Sequence, residues 1–353
     1  MEQININLDE KINSEIIIEN DIRNELQNFF EDKRYFLITN TTIAKLYPQI
    51  VYKFNSDKVI IIKDGEKYKN IKTFNFIINE LLSKKIERKD SIVALGGGVV
   101  GDLAGYVASS ILRGVELIQI PTTLLAMCDS SIGGKTGFNT KAGKNLVGSF
   151  YPAKKIIIDP QFLNTLNEYE YKCGMGEVLK YAFIENSCKC KNFYNLLDFL
   201  EKQQTQDVKK ELKTIISICA NLKANVVNLD LKEGNLRKVL NFGHTFAHPI
   251  ETLTNYKKVS HGQAVAYGMK YANTLALNLG KIDKEYYERI NSLIDKFELA
   301  NKKMKFNKKK FINLMKQDKK VENSKINLLI PVTPRTVELI HNIEVPSVAA
   351  SLP

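Results

Sequence analysis

The stretch Ser91-Ile92-Val93-Ala94-Leu95-Gly96-Gly97-Gly98-Val99-Val100-Gly101-Asp102 decides the fold class. Its opening residues are mostly apolar and suit one short buried strand, and the segment after Asp102 has the composition of a helix. Glycines stand at 96, 98 and 101. This is the dinucleotide pattern: without side chains the backbone turns tightly and approaches a pyrophosphate, whose charge meets the N–H groups at the helix start. A glycine-rich turn of this kind also serves simple packing, so the remaining sequence must decide between the two.

Working outward, residues 35–39, 59–62, 91–95, 117–120 and 156–158 are short β-rich runs separated by longer mixed segments. Such alternation predicts an α/β domain with a Rossmann-like, mostly parallel sheet under covering helices. From about Glu168 the strand signals thin out, and residues 208–229 and 286–299 repeat their apolar positions at the helical period. The prediction is therefore an α/β nucleotide domain over 1–165 and a mainly α-helical domain over 166–353, the chain passing between them after Asp159-Pro160. A small-molecule cleft is expected where two such domains meet. Residues 346–353 read as a loosely held tail.

The 353 residues, 44% hydrophobic and 25% charged, suffice for two cores. No apolar run approaches a membrane span, and residues 1–20 carry neither a basic lead nor a signal-type apolar core, which predicts a cytoplasmic protein with no membrane partner. Five cysteines without a Cys-x-x-Cys pair predict free thiols. The net charge of +12 suits nucleic acid, an acidic membrane surface or small anions. Its lysines crowd into 302–320 among Met304, Phe306, Phe311, Ile312, Leu314 and Met315, which reads as one or two helices with solvated basic faces. No aromatic-interleaved basic platform accompanies them, so nucleic acid is not the expected partner.

The residues that can do chemistry cluster in three places. In Leu236-Arg237-Lys238-Val239-Leu240-Asn241-Phe242-Gly243-His244-Thr245-Phe246-Ala247-His248, a single helix would stack Arg237, Asn241, His244 and His248 on one stripe too polar for a core face. With His261 in Ser260-His261-Gly262, these imidazoles suggest a divalent metal, whose catalytic form commonly takes three protein ligands including a carboxylate. The candidate carboxylate is Glu177 in Gly174-Met175-Gly176-Glu177-Val178-Leu179-Lys180, with Lys180 facing the same way on a helix. Taken singly, these are an ordinary surface ion pair and satisfied helix histidines; their joint occurrence favours a site. The third cluster is Asp129-Ser130-Ser131-Ile132-Gly133-Gly134-Lys135-Thr136-Gly137 with Lys141-Ala142-Gly143-Lys144-Asn145. Asp129 stands where a P-loop requires glycine, so a P-loop NTPase is rejected. What remains is a glycine-permitted loop presenting Lys135, Lys144 and Asn145 to phosphate or carboxylate, or else a flexible basic surface loop.

Together these segments resemble the 3-dehydroquinate synthase family of sugar-phosphate cyclases. The resemblance runs over nearly the whole chain. It rests on Asp64-Gly65-Glu66-Lys67-Tyr68-Lys69, the 96–102 glycine run, Pro121-Thr122-Thr123-Leu124-Leu125-Ala126, residues 133–137, Gly176-Glu177-Val178-Leu179-Lys180, residues 241–248 and His261-Gly262. It implies Zn²⁺, or Co²⁺, on Glu177, His244 and His261. It implies NAD held by Asp64, Gly65, Glu66, Lys67, Tyr68 and Lys69, by Gly98, Val99, Val100, Gly101 and Asp102, by Thr122, Thr123, Lys135 and Lys144, and by Phe162, Leu163, Asn164 and Thr165. Substrate contacts fall on Asp129, Asn145, Lys180, Lys223, Glu233, Arg237, Asn241 and His248, on Arg113 from the other subunit of a homodimer, and on one of Lys319 and Lys320.

The implied reaction converts 3-deoxy-D-arabino-heptulosonate 7-phosphate, a small anionic sugar phosphate, to 3-dehydroquinate and phosphate in the shikimate pathway. It runs through transient oxidation by NAD, phosphate elimination, re-reduction and intramolecular aldol closure. Lys180 and His248 would move protons or stabilise oxyanions, while Lys135, Asn145 and Arg237 position charge. An NAD- and metal-dependent polyol dehydrogenase or another sugar-phosphate cyclase is the alternative. Two positions depart from the family pattern. Pro249 follows His248 directly and predicts a helix kink or end there. Gln263 stands where the family commonly has glutamate, a carboxylate suited to orienting the imidazole of His261.

Overall fold

In the computed structural model, which describes residues 1–9, 12–26, 34–255, 258–318 and 325–353, the chain forms two compact units, Met1–Asn167 and Glu168–Pro353. Lys319 and Lys320 lie outside the described residues.

The strands of the first unit are β1 (Glu2–Asp9), β2 (Ile12–Ile18), β3 (Tyr35–Asn40), β4 (Val59–Ile62), β5 (Ser91–Gly96), β6 (Glu116–Pro121), β7 (Lys135–Thr140), β8 (Gly143–Phe150) and β9 (Lys155–Ile158). Its helices are α1 (Thr41–Leu46), α2 (Pro48–Val51), α3 (Ile71–Ser83) and α4 (Gly98–Ser110). Seven strands form one sheet in the order β1-β2-β9-β6-β5-β3-β4, and every neighbouring pair is parallel except β1 and β2. All six residues of β3 and of β5 are buried, as a strand covered on both faces requires. After β3 the chain moves outward to β4, and after β5 it moves to β6 on the other side. The carboxyl ends of β3 and β5 therefore flank the point where strand order reverses, the place where open α/β sheets take ligands. Asn40, Asp64, the 96–98 glycines and Thr122 all sit at or just beyond such carboxyl ends.

The antiparallel β1–β2 pair extends the sheet beyond the strands expected from sequence; buried Ile4 and Ile6 alternate with exposed Gln3, Asn5 and Asn7. The basic 135–145 segment, expected as a loop, is an antiparallel hairpin of β7 and β8. Gly137 pairs with Gly148, and a Cβ at Gly148 would fall 2.0 Å from the Thr136 carbonyl oxygen, so these glycines let two strands close up.

The second unit holds α5 (Glu168–Ile184), α6 (Leu196–Lys202), α7 (Thr205–Val208), α8 (Leu212–Leu229), α9 (His244–Leu253), α10 (His261–Asn278), α11 (Lys284–Lys296), α12 (Lys308–Asp318) and α13 (Val345–Ala350). It is helical as expected but also carries the antiparallel hairpin of β10 (Lys325–Thr333) and β11 (Thr336–Glu344). Of the described part of the lysine-rich segment, Lys308–Asp318 form helix α12 and the residues before it do not, with Phe311, Ile312 and Met315 buried and Lys308, Lys309 and Lys310 exposed. The expected loose tail is instead α13 and a packed end: Val348 and Leu352 are buried, and Lys308 Nζ donates to the Ala349 and Leu352 carbonyls at 3.1 and 2.8 Å. Among the described residues, no helix is long and apolar enough to cross a membrane.

Candidate active site

In the second unit Glu177 lies in the middle of α5, buried to 1% exposure, and α5 packs on α10. Gly176 and Gly262 make that contact possible: a Cβ at Gly176 would fall 2.3 Å from the Gly262 carbonyl oxygen. His261 is the first residue of α10 and His244 the first of α9. Both imidazoles face the same carboxylate oxygen, with Glu177 Oε1 3.4 Å from His261 Nε2 and 3.5 Å from His244 Nε2. One ligand atom from each of the three residues lies within 4.8 Å of the others. A tetrahedral cation with legs of about 2.0–2.1 Å has ligands roughly 3.4 Å apart. The spacing and the donor set, one carboxylate and two imidazoles, thus fit a divalent cation with a position left open for substrate or water.

Lys180, one helical turn from Glu177, is also buried to 1% exposure, and its Nζ pairs with Glu177 Oε2. Burial drives the pKa of His244 down to about 3, with Lys180 and the other histidines adding to the fall, so this imidazole is neutral and ready to ligate. Burial opposes charge on His261 too, but the carboxylates of Glu177 and Glu251 outweigh it and raise its pKa to about 10. A cation arriving at neutral pH therefore displaces a proton here.

The single helix expected over 236–248 is broken. Residues Leu236–Asn241 form a 3₁₀ helix, Gly243 takes φ +81°, and α9 starts afresh at His244. A Cβ at Gly243 would fall 2.8 Å from the Val265 carbonyl oxygen, so packing against α10 interrupts the helix. His244 and His248 keep their common face, with ring centroids 5.9 Å apart, whereas Arg237 and Asn241 belong to the preceding segment. Pro249 does not end the helix at His248; α9 runs on through it to Leu253, giving up the one backbone donor that proline lacks. His248 is exposed.

Arg237 is 1% exposed, Lys223 on α8 is 5% exposed, and the 3₁₀ segment that carries Arg237 packs on α5 and α8. Asn241 Nδ2 donates to Glu233, which has φ +62°. Asp230, which the sequence did not single out, organises this loop by accepting from the backbone N–H groups of Gly234 (2.8 Å), Asn235 (2.8 Å) and Arg237 (3.0 Å). Burial alone would raise its pKa, but these donors hold the carboxyl below the usual aspartate range.

Gln263 does not reach His261. Its Oε1 lies 3.1 Å from the Ser260 N–H in a capping box that starts α10. The carboxylate on the far side of the imidazole is Glu251, whose Oε1 is 3.5 Å from His261 Nδ1. Glu251 was missed in the sequence, although it stands seven residues after His244 and three after His248, on the face they share.

In the first unit the glycine run opens α4, whose start has no side-chain cap. A Cβ at Gly98 would lie 3.0 Å from Ser130 Oγ, and one at Gly97 would lie 2.9 Å from Thr123 Cγ2. Among the described residues, the buried Thr122 Oγ1 and Ser130 Oγ have no hydrogen-bond partner. An uncapped helix start, a backbone left bare by glycine and two unsatisfied hydroxyls fit a dinucleotide phosphate. Ser130 is a further residue that the sequence did not single out; it ends a π-helical turn, Ala126–Ser130, that also carries Asp129.

Around this start, Asp64 accepts from Asn40 Nδ2 at 2.9 Å and Thr42 Oγ1 at 2.6 Å. Gly65 carries φ +105°, and Glu66, Lys67 and Tyr68 form a 3₁₀ turn. Lys69, 5% exposed, pairs with Asp102 of α4 and donates to Asn145 Oδ1 at 2.6 Å, tying the turn, the helix and β8 together. Val99 and Gly101 share the first turn of α4, while Val100 is fully buried and serves the core. Lys135 opens β7, and Lys144 lies on β8 beside Asn145. Of the 162–165 segment, Phe162 and Leu163 are buried and only Asn164 and Thr165 are exposed. Arg113 is exposed, with φ +68°.

Known proteins match this arrangement. The family model for the 3-dehydroquinate synthase N-terminal region matches residues 59–173, and that for the C-terminal region matches 174–321. A 3-dehydroquinate synthase of Campylobacter fetus subsp. fetus is 40% identical over 331 residues, covering 93% of this chain and 92% of the relative. Among solved structures, 2-deoxy-scyllo-inosose synthase complexed with carbaglucose-6-phosphate, NAD⁺ and Co²⁺ superposes with a TM-score of 0.86 at 23% identity, covering 99% of this chain and 98% of that one. The 2-epi-5-epi-valiolone synthase of Streptomyces hygroscopicus subsp. jinggangensis, with NAD⁺ and Zn²⁺ bound, superposes with a TM-score of 0.83 at 20% identity, covering 97% and 96%. Matched through both halves by one family's models and by a relative at this identity, the chain belongs to the 3-dehydroquinate synthase family of enzymes.

Proposed function

We propose that this enzyme converts 3-deoxy-D-arabino-heptulosonate 7-phosphate to 3-dehydroquinate and inorganic phosphate, using NAD on the first unit and a divalent cation, Zn²⁺ or Co²⁺, on Glu177, His244 and His261. The observation that carries the reading is the convergence of those three side chains at ligand spacing with Lys180 on the same carboxylate. The chemistry the two groups supply when bound is removal and return of a hydride by the nicotinamide and polarisation of the reacting oxygens by the cation.

The chain's own residues do the rest. Lys180, Lys223 and Arg237 are cations held in the second unit with at most 5% exposure, which suits recognition of a substrate bearing carboxylate and phosphate. Lys180 Nζ, fixed by Glu177, and the imidazole of His248 are the groups placed to hold and move protons. Glu233, Asn241 and Asp129 orient hydroxyls, while Lys135, Lys144 and Asn145 offer a hairpin-borne set of donors to phosphate. On this reading the enzyme is a cytoplasmic homodimer in which Arg113 serves the partner copy's substrate.

A phosphate-release assay with the heptulosonate phosphate and NAD, run with and without a chelator, tests substrate, metal and reaction class together. The expected result is chelator-sensitive phosphate release with no lasting rise in NADH absorbance. Steady NADH accumulation without phosphate would replace this reading with the polyol dehydrogenase one, and phosphate release that a chelator leaves untouched would remove the cation.

A further inference from the structure

The two imidazoles of the cation site are backed differently. His244 Nδ1 lies 3.2 Å from the Phe242 carbonyl oxygen, a neutral acceptor supplied by its own chain two residues back. His261 Nδ1 lies 3.5 Å from Glu251 Oε1, a carboxylate brought from α9 to the head of α10. Both backing atoms accept only, so each ring satisfies its contact by carrying a proton on Nδ1, and Nε2 is the nitrogen each ring offers to a cation. Glu251 is 4% exposed, and a carboxylate buried that deeply belongs in the fold only with a donor or cation to face. Position 263 is not available for the task, since Gln263 is engaged at the α10 cap.

We propose that Glu251 is the positioning residue of His261: its carboxylate holds the Nδ1–H, fixes the ring's orientation and tautomer, and makes Nε2 a stronger donor to the cation. The inference rests on Glu177, His244 and His261 being the cation's ligands. A carboxylate behind a ligating imidazole raises its basicity, and loss of such a partner weakens metal binding by roughly ten- to a hundred-fold. Among the described residues His244 Nδ1 faces a carbonyl and no carboxylate, so the contribution of Glu251 has no counterpart there on the other ring.

The test uses the full-length protein and the Glu251→Gln and Glu251→Ala variants, with Zn²⁺ affinity measured by chelator competition and the visible absorption of the Co²⁺-loaded protein as a signature of ligand geometry. Glu251→Ala is expected to weaken Zn²⁺ binding by roughly ten- to a hundred-fold and to shift the Co²⁺ bands. Glu251→Gln, whose amide oxygen still accepts from Nδ1–H, is expected to lose less. With the cation saturating, kcat should fall while the KM for substrate stays near that of the parent. Should Glu251→Ala not fold, the Gln variant decides by itself: a parental Zn²⁺ affinity and Co²⁺ spectrum in a folded Gln variant overturns the inference. If the parent protein itself binds neither ion, the ligand assignment fails and the inference fails with it, an outcome distinct from equal binding by parent and variant.

Discussion

Gly176 rests against the backbone of Gly262, so that the residue before one candidate ligand, Glu177, touches the residue after another, His261. Any side chain at 176 would meet not a flexible tip but the carbonyl oxygen, carbon and Cα of Gly262, at 2.3, 2.5 and 2.5 Å. Gly176→Ala should therefore push α5 off α10, costing about 1–3 kcal/mol of stability as overpacking does. It should also separate the ligands without altering one of them. Metal content after dialysis together with a thermal melt checks this; a variant that keeps both at parental values would show that the contact does not set the site. Gly262→Ala, whose Cβ would fall 1.9 Å from the Cys173 carbonyl oxygen, should be the harsher change.

The glycine run of the first unit gives the complementary prediction. In Gly98→Val the added side chain would enter the space beside Ser130 Oγ and cover the bare start of α4. NAD affinity should fall at least ten-fold while Zn²⁺ affinity stays unchanged, because steric exclusion at a pyrophosphate turn has no small relaxation available. Equilibrium titration of both ligands on the same preparation separates the effects. Unchanged NAD affinity would move the cofactor away from this turn.

Much of this was legible in the sequence because it rests on local signals. The strand-turn-helix at 91–102 reads directly, since a fully buried strand must be apolar and a turn without side chains must be glycine. His244 and His261 could be named as candidates because the chain has only four histidines, and Glu177 and Lys180 because they stood in one short, ordered motif. The illegible parts are those set by non-local packing. The break at Gly243 depends on the Val265 carbonyl of α10, which no helical period in residues 236–248 encodes. Hairpin β7–β8 was mistaken for a loop because its glycines, which look like flexibility, admit a neighbouring strand. Glu251 stayed hidden because its partner, His261, lies on a different helix, and the carboxylate expected beside that ring was sought at position 263 instead.

Two buried thiols should resist alkylation. Burial pushes Cys173 up to about 11 and Cys188 higher still, so neither forms appreciable thiolate at pH 8, whereas Cys190 is only half-buried. Mass spectrometry after iodoacetamide treatment at pH 8 should find label on Cys190 and none on Cys173 or Cys188, with all five cysteines labelled once the chain is unfolded. At pH 9.5 Cys173 should still label far more slowly than Cys190, because its thiol is buried as well as mostly protonated; rapid native labelling there would mean that the α5–α10 contact opens readily.

Asp230 makes the last prediction, and its sign follows from the loop it ties. Its carboxylate accepts from three backbone N–H groups in the segment that carries Glu233 and Arg237, and those donors favour the ionised form. A carboxyl whose native pKa is depressed adds stability that is complete above the unfolded value near 3.9 and disappears as pH falls through the native value. Asp230→Asn removes the charge while keeping the shape, so denaturant melts should show a constant deficit against the parent from pH 8 to 5 that narrows below about pH 4. The same variant should raise the KM for the sugar phosphate several-fold, with a smaller effect on kcat, because Glu233 and Arg237 lose their fixed positions while Glu177, His244 and His261 keep theirs. A deficit that widens as the solution is acidified would mean that the loop is held by something other than this carboxylate. A change in kcat alone would place the 230–237 segment at the chemical step instead of in substrate positioning.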